Sequence, residues 1–167
     1  MDENNQIILD RFEPFRDLSS EAKKKINDNS TLLKYKLGQP ILSSDKLPNS
    51  VLLIIEGEAR LILRANNKSQ SICKVSQGII LGIGSLLRAE PCEDVSASTN
   101  LIAYSIPDEI ILDLYQQELS FATWCNRTST PGEILYLANL LTDSSVRSDI
   151  NIKSAFKQLL NNNQVIT

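Results

Sequence analysis

The feature that most constrains the fold is a series of short apolar runs separated by glycine or asparagine turns between residues 31 and 106. Val51–Ile55 is apolar throughout, which is typical of a strand buried on both faces. Gly57 interrupts the run, and Ala59–Arg64 then partly alternates, as a half-buried strand does. Strands repeating at roughly ten-residue spacing predict an antiparallel sandwich or double-stranded β-helix, that is, a jelly-roll barrel.

An N-terminal segment, residues 1–30, is predicted to be helical. Apolar side chains recur every three residues within 7–29, as on one helix face. Pro14 interrupts this pattern, which predicts two short helices rather than one. Ser19 or Ser20 can cap the second helix.

Residues 107–167 form the third predicted segment, which is also helical. A first helix is predicted over 108–119. Thr130, followed by proline and by a glutamate three residues on, predicts the start of a second helix that continues through 134–141. A last helix is predicted from about residue 148 to 160.

The absence of histidine from all 167 residues excludes the chemistry that depends on imidazole. Ser-His-Asp and Cys-His nucleophile systems and imidazole metal sites are ruled out together. A cupin-type enzyme shares the jelly-roll shape, but its sites usually need histidine ligands. Cys73, Cys92 and Cys125 form no Cys-x-x-Cys pair and are predicted to be free thiols. We therefore expect neither an enzyme nor a metal site.

Charge and hydropathy argue against nucleic-acid and membrane partners. The net charge is −3, and residues 107–167 carry four Lys or Arg against seven Asp or Glu. A DNA-binding module should be basic on at least one face. The N-terminus is acidic, and no apolar run approaches the length of a membrane helix. We expect a cytoplasmic protein, or the cytoplasmic domain of a membrane protein.

Several glycines and short motifs at particular mutual spacings carry a family resemblance. The chain resembles the cyclic nucleotide-binding domain family over roughly residues 12–125. The segments that carry this resemblance are Tyr35–Ile41, the hairpin Val51–Leu61, Gly78, Gly82, and the Val-x-Ala-x-x-Asn motif from Val95 to Asn100.

The resemblance implies a β-roll with a phosphate-binding cassette between Leu81 and Ala97. It also implies a ligand, cyclic AMP or cyclic GMP or another small anion, and no other cofactor. The residues expected to shape this pocket are Gly82, Ile83, Gly84, Ser85, Arg88, Val95 and Ala97.

The charged residues of the family's cassette are missing here. The position of the ribose-binding acid holds Ile83, and that of the phosphate-binding arginine falls at Pro91 or Cys92. A charge-assisted bond to phosphate is worth about 1.5–3 kcal/mol, and Glu93 and Asp94 would repel an anion if they pointed inward. The amides at the start of the cassette helix still favour an anion, and Arg88 is the only nearby cation. The lost charge-assisted bond and the two acids outweigh the helix amides and Arg88, so ordinary binding of cyclic AMP or cyclic GMP is disfavoured.

Three functions follow as hypotheses. The first is a cyclic nucleotide-binding-like regulatory or sensor domain of a larger effector, such as an ABC-type transporter. The second is a fragment of a Crp-like transcription regulator. The third is a pure interaction module that forms a homodimer through its C-terminal helices, with Trp124 and Tyr136 as candidate contact residues, although core packing is the more frequent role of such aromatics.

Overall fold

A computed structural model describes residues 9–65 and 68–143 of the chain. Two four-stranded antiparallel sheets face each other, and helices flank them. The helices are α1 (Glu13–Arg16), α2 (Ser20–Asn29), α3 (Ile83–Arg88), α4 (Asp108–Gln117), α5 (Leu119–Arg127) and α6 (Pro131–Asp143). The strands are β1 (Thr31–Tyr35), β2 (Pro40–Leu42), β3 (Ser50–Glu56), β4 (Ala59–Ala65), β5 (Lys68–Val75), β6 (Ile80–Leu81), β7 (Asp94–Ala97) and β8 (Leu101–Pro107).

The strand order mixes early and late parts of the chain. One sheet has the order β1-β8-β3-β6, and the other has the order β2-β7-β4-β5. Leu53 pairs with Tyr104 in the first sheet, and Leu61 pairs with Val95 in the second. This is the antiparallel roll with flanking helices that the spacing of the apolar runs predicted, and that prediction is confirmed.

Strand β3 is apolar from Val51 to Ile55, and both of its faces are buried. Val51 and Leu53 join a cluster with the N-terminal helices and with α4 and α5, which we call the helix-side core. Leu52 and Ile54 point the other way, into a cluster inside the roll, which we call the roll core. Successive side chains on a strand alternate between faces, so one continuous apolar run serves both cores.

The turn after β3 requires glycine. Gly57 has a φ of +86°, and a Cβ atom built there would lie 2.2 Å from the backbone oxygen of Asn100. No side chain fits at that distance, so Gly57 fixes the close approach of the β3–β4 turn to the loop before β8.

The N-terminal helices differ from the prediction in the position of the break. Pro14 lies in the first turn of α1, where a missing amide proton is not needed, so it begins a helix rather than interrupting one. The break falls after Arg16. Ser19 caps α2, as predicted, since its side chain accepts a hydrogen bond from the Ala22 amide at 3.2 Å.

Helix α5 was not predicted from the sequence. A single residue, Glu118, both ends α4 and precedes α5. Phe121 inserts between Phe15 and Trp124, with ring centroids 6.0 and 6.1 Å away. The Glu118 carboxylate accepts hydrogen bonds from the backbone amide and the hydroxyl of Ser19, so the α4–α5 corner is fastened to the start of α2.

Helix α6 begins as predicted. The Thr130 amide donates to the Glu133 carboxylate at 2.9 Å, and the Glu133 amide donates to the Thr130 hydroxyl at 3.3 Å, which together form a capping box. Ile134 and Leu135 belong to the roll core, where α6 packs against β4. The predicted helix over 148–160 lies outside the described residues. In the described part of the chain, no helix is long and apolar enough to cross a membrane.

Candidate functional site

The cassette opens at the junction between β6 and α3. Gly82 adopts a φ of +87° and caps α3. Its backbone amide donates a hydrogen bond of 3.0 Å to Oε2 of Glu93, and this contact is fully buried. The first amides of a helix have no partner within the helix and favour an acceptor that carries negative charge. Here that acceptor is a carboxyl group of the chain itself.

Glu93 is an unusually placed acid. Its side chain is enclosed, with 2% of the residue's surface exposed. Its second oxygen, Oε1, has no hydrogen-bond partner among the described residues. Burial raises the pKa of Glu93 to about 7; the Gly82 and Ser85 amides oppose this rise, and the Glu133 carboxylate adds to it. Near neutral pH the group is therefore divided between its neutral and ionised forms.

The first turn of helix α6 contacts Glu93 at Gly132. A Cβ atom built on Gly132 would lie 2.0 Å from Oε1 of Glu93, and one built on Gly84 would lie 2.6 Å from Oγ1 of Thr130. Both distances are far below any real contact, so a larger residue at either position would displace α6 or the side chain of Glu93 or Thr130 that it meets. The two glycines let the first turn of α6 lie directly on α3 and on the carboxyl of Glu93.

Asp94 is buried beside Glu93 but has a full set of partners. Its carboxylate accepts hydrogen bonds from the hydroxyl of Ser44 at 2.6 Å and from the Ser44 amide at 3.3 Å. Arg64 forms an ion pair with it at 2.8 Å. Of the two adjacent acids, only Glu93 lies at the start of the cassette helix.

Ser85 and Cys92 form a short buried link beneath α6. The Ser85 hydroxyl accepts a hydrogen bond from the Cys92 amide at 3.0 Å and lies 3.2 Å from the sulfur. Burial raises the pKa of the Cys92 thiol to about 11. The thiol is therefore protonated at neutral pH and is not an activated nucleophile.

Arg88 points toward α6. Its guanidinium lies over the ring of Tyr136 with 5.0 Å to the centroid, and its Nε lies 3.8 Å from Oε1 of Glu133. These contacts hold the Arg88 guanidinium against the first two turns of α6.

The other predicted pocket residues are divided between the two cores. Ile83 is fully buried in the helix-side core. Val95 and Ala97 belong to the roll core. The apolar side chain at the position of the family's acid therefore packs against the flanking helices.

A cavity of about 780 Å³ opens between the two sheets next to the cassette. Its apolar walls include Leu33 and Leu42, and its polar lining includes Tyr35, Ser50, Ser85 and Glu93. Among the seven predicted pocket residues, Ser85 is the one that lines it. No group of acids and cysteines suited to hold a metal ion occurs within the described residues.

Sequence reasoning missed the role of Glu93 and the contact of Gly132. The available signal was the pair of acids placed directly after the position of the family's arginine. Nothing local in the sequence shows that α6 returns to cover one of them.

Comparison with known proteins gives one family and several solved structures of similar fold. The family model for the cyclic nucleotide-binding domain matches residues 32–118, which is just over half of the chain. No curated protein matches the sequence significantly.

Three solved structures illustrate the likeness of fold. A regulatory subunit of a cAMP-independent protein kinase A from Trypanosoma cruzi, bound to guanosine, has 18% identity and a TM-score of 0.61, over 74% of this chain and 48% of that one. A putative cyclic nucleotide-binding protein from Geobacter metallireducens has 17% identity and a TM-score of 0.61, over 84% and 97%. The sensor domain of the transcriptional regulator DNR from Pseudomonas aeruginosa has 14% identity and a TM-score of 0.63, over 87% and 97%. The chain spans about half the length of the kinase regulatory subunits that it matches.

Proposed function

Because the chain belongs to the cyclic nucleotide-binding domain family, we propose that it regulates a larger effector in response to an uncharged ligand of nucleoside size. The observation that carries this proposal is the buried hydrogen bond from the Gly82 amide to Glu93. The amide at the start of the cassette helix is already used by an acid of the chain. A phosphate brought to the same place would meet that acid.

The electrostatics disfavour a cyclic phosphate. The ionised form of Glu93 would repel a phosphate about 4 Å away by about 4 kcal/mol at an effective dielectric constant of about 20, and the neutral form would offer it no opposite charge. Arg88 is held against Tyr136 and Glu133 on the side of α6, and the nearest cation in the cavity lining, Lys46, comes from the loop before β3 rather than from the cassette. A ligand without a phosphate avoids the repulsion.

The cavity suits such a ligand in size and in lining. Its volume of about 780 Å³ lies in the range typical of small-molecule sites. Leu33 and Leu42 offer apolar walls for a flat ring, while Tyr35, Ser50 and Glu93 offer hydroxyl and carboxyl partners for hydroxyl and amino groups. The guanosine bound to the Trypanosoma cruzi regulatory subunit supports a nucleoside as the ligand class in this fold.

Isothermal titration calorimetry of the whole chain tests the proposal. We expect micromolar binding of guanosine or adenosine and no measurable heat with cyclic AMP or cyclic GMP. Glu93→Ala should weaken nucleoside binding by about tenfold or more, because a buried hydrogen-bond partner is lost. Asp94→Asn is the matched control, since this neighbouring acid faces Ser44 and Arg64, and it should leave the affinity unchanged. Micromolar binding of a cyclic nucleotide with no response to nucleosides would overturn the proposal.

We also propose a host, a location and an assembly state, on the basis of the sequence and of the family. The host would be an ABC-type transporter, and the location would be cytoplasmic. The protein would lack enzymatic activity and would form a homodimer through its C-terminal helices. Sedimentation velocity over a range of concentrations would decide between monomer and dimer.

A further inference from the structure

We propose that the loop between β2 and β3, residues 43–49, is a gate over the cavity, held shut by a latch that consists of Ser44, Asp94 and Arg64. We call residues 43–49 the gate loop. This inference rests on the proposed function, because it assigns an entry route and a rate-limiting step to the ligand of that same cavity. Three features of the structure support it: the place of the gate loop in the cavity wall, the exposure of its middle, and the side chains that attach it.

The gate loop forms one side of the cavity. The residues that it contributes to the lining are Ser43, Lys46, Leu47, Pro48 and Asn49. The rest of the lining belongs to strands β1, β2, β3 and β8, to helix α3, and to Glu93 just before β7. Strands and helices are fixed by their backbone hydrogen bonds, whereas a connecting loop is not. A ligand therefore enters with the least disruption of the roll where the gate loop lies.

The middle of the gate loop has little backbone support. In the described part of the chain, the backbone of residues 44–48 makes no hydrogen bond to another backbone group. Asp45 and Lys46 are exposed, and Leu47 is 47% exposed. Segments with few backbone hydrogen bonds and few buried contacts open at a low cost in free energy. This segment can therefore leave the cavity without breaking either sheet.

The latch joins the start of the gate loop to strands β4 and β7. The buried carboxylate of Asp94 accepts hydrogen bonds from the Ser44 hydroxyl at 2.6 Å and from the Ser44 amide at 3.3 Å. The Arg64 guanidinium pairs with Asp94 at 2.8 Å and also reaches the Asp45 carboxylate of the loop at 3.6 Å. Hydrogen bonds to a carboxylate are stronger than those between neutral groups. The closed position thus depends on a few strong side-chain contacts.

The other end of the gate loop is anchored differently. Pro48 packs close to the cassette, since a Cβ atom built on Gly82 would lie 3.4 Å from its Cγ. The Asn49 carbonyl accepts a hydrogen bond of 3.2 Å from the Asp108 amide. Opening must break the contacts of Ser44 and the apolar contact of Pro48, whereas Asn49 can keep its bond. The latch at Ser44 is therefore the polar attachment that controls opening.

A latch of this kind sets the rates of binding and leaves the affinity unchanged. The gate loop is closed over the empty cavity and over the occupied one, so a ligand enters and leaves only through the small open fraction. A weaker latch enlarges that fraction and speeds entry and exit by the same factor. The Kd, which is the ratio of the two rate constants, then stays the same.

A thiol placed inside the cavity tests the gate without any natural ligand. Ser105→Cys puts this thiol on the cavity wall, and its alkylation by iodoacetamide reports entry. In this background, Ser44→Ala should speed the alkylation by about tenfold, the effect of one lost hydrogen bond to a carboxylate. Ser43→Ala is the matched control, because the Ser43 hydroxyl donates to Asp45 within the loop, and it should leave the rate unchanged. Peptide mapping separates the new thiol from the native cysteines.

Trypsin provides a second measurement if Ser105→Cys folds poorly. Cleavage after Lys46 requires the gate loop to open, and under slow cleavage its rate follows the open fraction. In the otherwise unchanged chain, Ser44→Ala should speed this cleavage by about tenfold, and Ser43→Ala should not. Lys46→Gln should abolish the cleavage, which assigns it to the loop. Alkylation and cleavage rates that are equal in Ser44→Ala and the wild type overturn the gate, whatever ligand the cavity takes.

Stopped-flow kinetics with guanosine link the gate to the proposed ligand. Ser44→Ala should raise the association and dissociation rate constants by the same factor and leave the Kd unchanged. A faster dissociation alone, with a weaker Kd, would show that the loop is open over the empty cavity and would overturn the gate. If guanosine does not bind while iodoacetamide entry responds to Ser44→Ala, the gate is supported and the proposed ligand is wrong.

Discussion

The two faces of the β-roll are closed by helices in very different ways. On the helix-side core, α5 buries Phe121 completely between Phe15 and Trp124, and the contact is apolar throughout. On the roll core, α6 contributes the buried side chains of Ile134 and Leu135, and its first two turns contact Gly84, Arg88 and the buried acid Glu93. We therefore expect the contact of α5 to be more stable than the contact of α6. We call the α5 side of the roll the fixed side and the α6 side the releasable side.

The largest expected effect comes from the fixed side. Phe121→Ala should lower the free energy of unfolding by about 3–5 kcal/mol, because it opens a cavity within a dry aromatic stack. Urea denaturation followed by far-ultraviolet circular dichroism measures this loss. Leu119→Ala, on the same helix but with Leu119 82% exposed, should change stability by less than about 0.5 kcal/mol. Equal losses in the two variants would remove the distinction between the faces.

The releasable side should respond locally. Gly132→Ala should cost about 1–3 kcal/mol at α6 while leaving global unfolding nearly unchanged, since the helix can lift away to relieve the clash. Exchange of the α6 amides compared with those of β3 measures the difference. Gly132, unlike Gly38, has no positive φ, so the cost of Gly132→Ala reflects the contact with Glu93 and not backbone strain. Gly38→Ala, where the Cβ position is open, shows the cost of backbone strain alone. A global loss as large as that of Phe121→Ala would show that α6 belongs to the fixed core.

The two neighbouring acids offer a smaller test. Arg64→Ala should lower stability by about 1 kcal/mol, because Asp94 is buried but keeps its bonds to Ser44, and because Arg64 itself is half-exposed. Thermal unfolding at pH 8 measures this change. Glu93→Gln should act in the opposite direction at pH 8, since it removes an ionised group that burial disfavours. Destabilisation by Glu93→Gln at pH 8 would contradict the conclusion that burial disfavours the ionised form of Glu93.

The smallest effect is expected at the surface of the fixed side. Lys25 and Asp113 join α2 to α4 through an ion pair in which both side chains are over 40% exposed. Lys25→Ala should change stability by about 0.5 kcal/mol or less, and 1 M sodium chloride should erase the difference. Chemical denaturation at low and high salt checks this. A larger loss that persists in high salt would show that Lys25 contributes through packing of its stem.

The sequence predicted the elements whose signals are local. The apolar run of β3, the alternation in β4 and the capping box at Thr130 each follow from the spacing of a few neighbouring residues. The existence of α5 was missed because a single residue separates it from α4, which left no turn signal to read. Pro14 was misplaced because proline breaks a helix interior but suits a first turn.

The site was only partly predictable for a different reason. The glycines of the cassette mark a local turn, and Gly82 adopts the left-handed conformation that the turn needs. The burial of Glu93 depends on the return of α6, nearly forty residues further along the chain. Asp94 and Glu93 look alike in the sequence, and tertiary contacts alone decide which of them is neutralised by a cation.

Glu118 gives the fixed side one more property. The residue sits at the corner between α4 and α5, and its carboxylate also holds the backbone amide and hydroxyl of Ser19, the capping residue of α2. A rotation of α5 about that corner would withdraw the carboxylate and loosen the beginning of α2. Through the Glu118 side chain, a displacement of α5 would therefore alter the capping of α2.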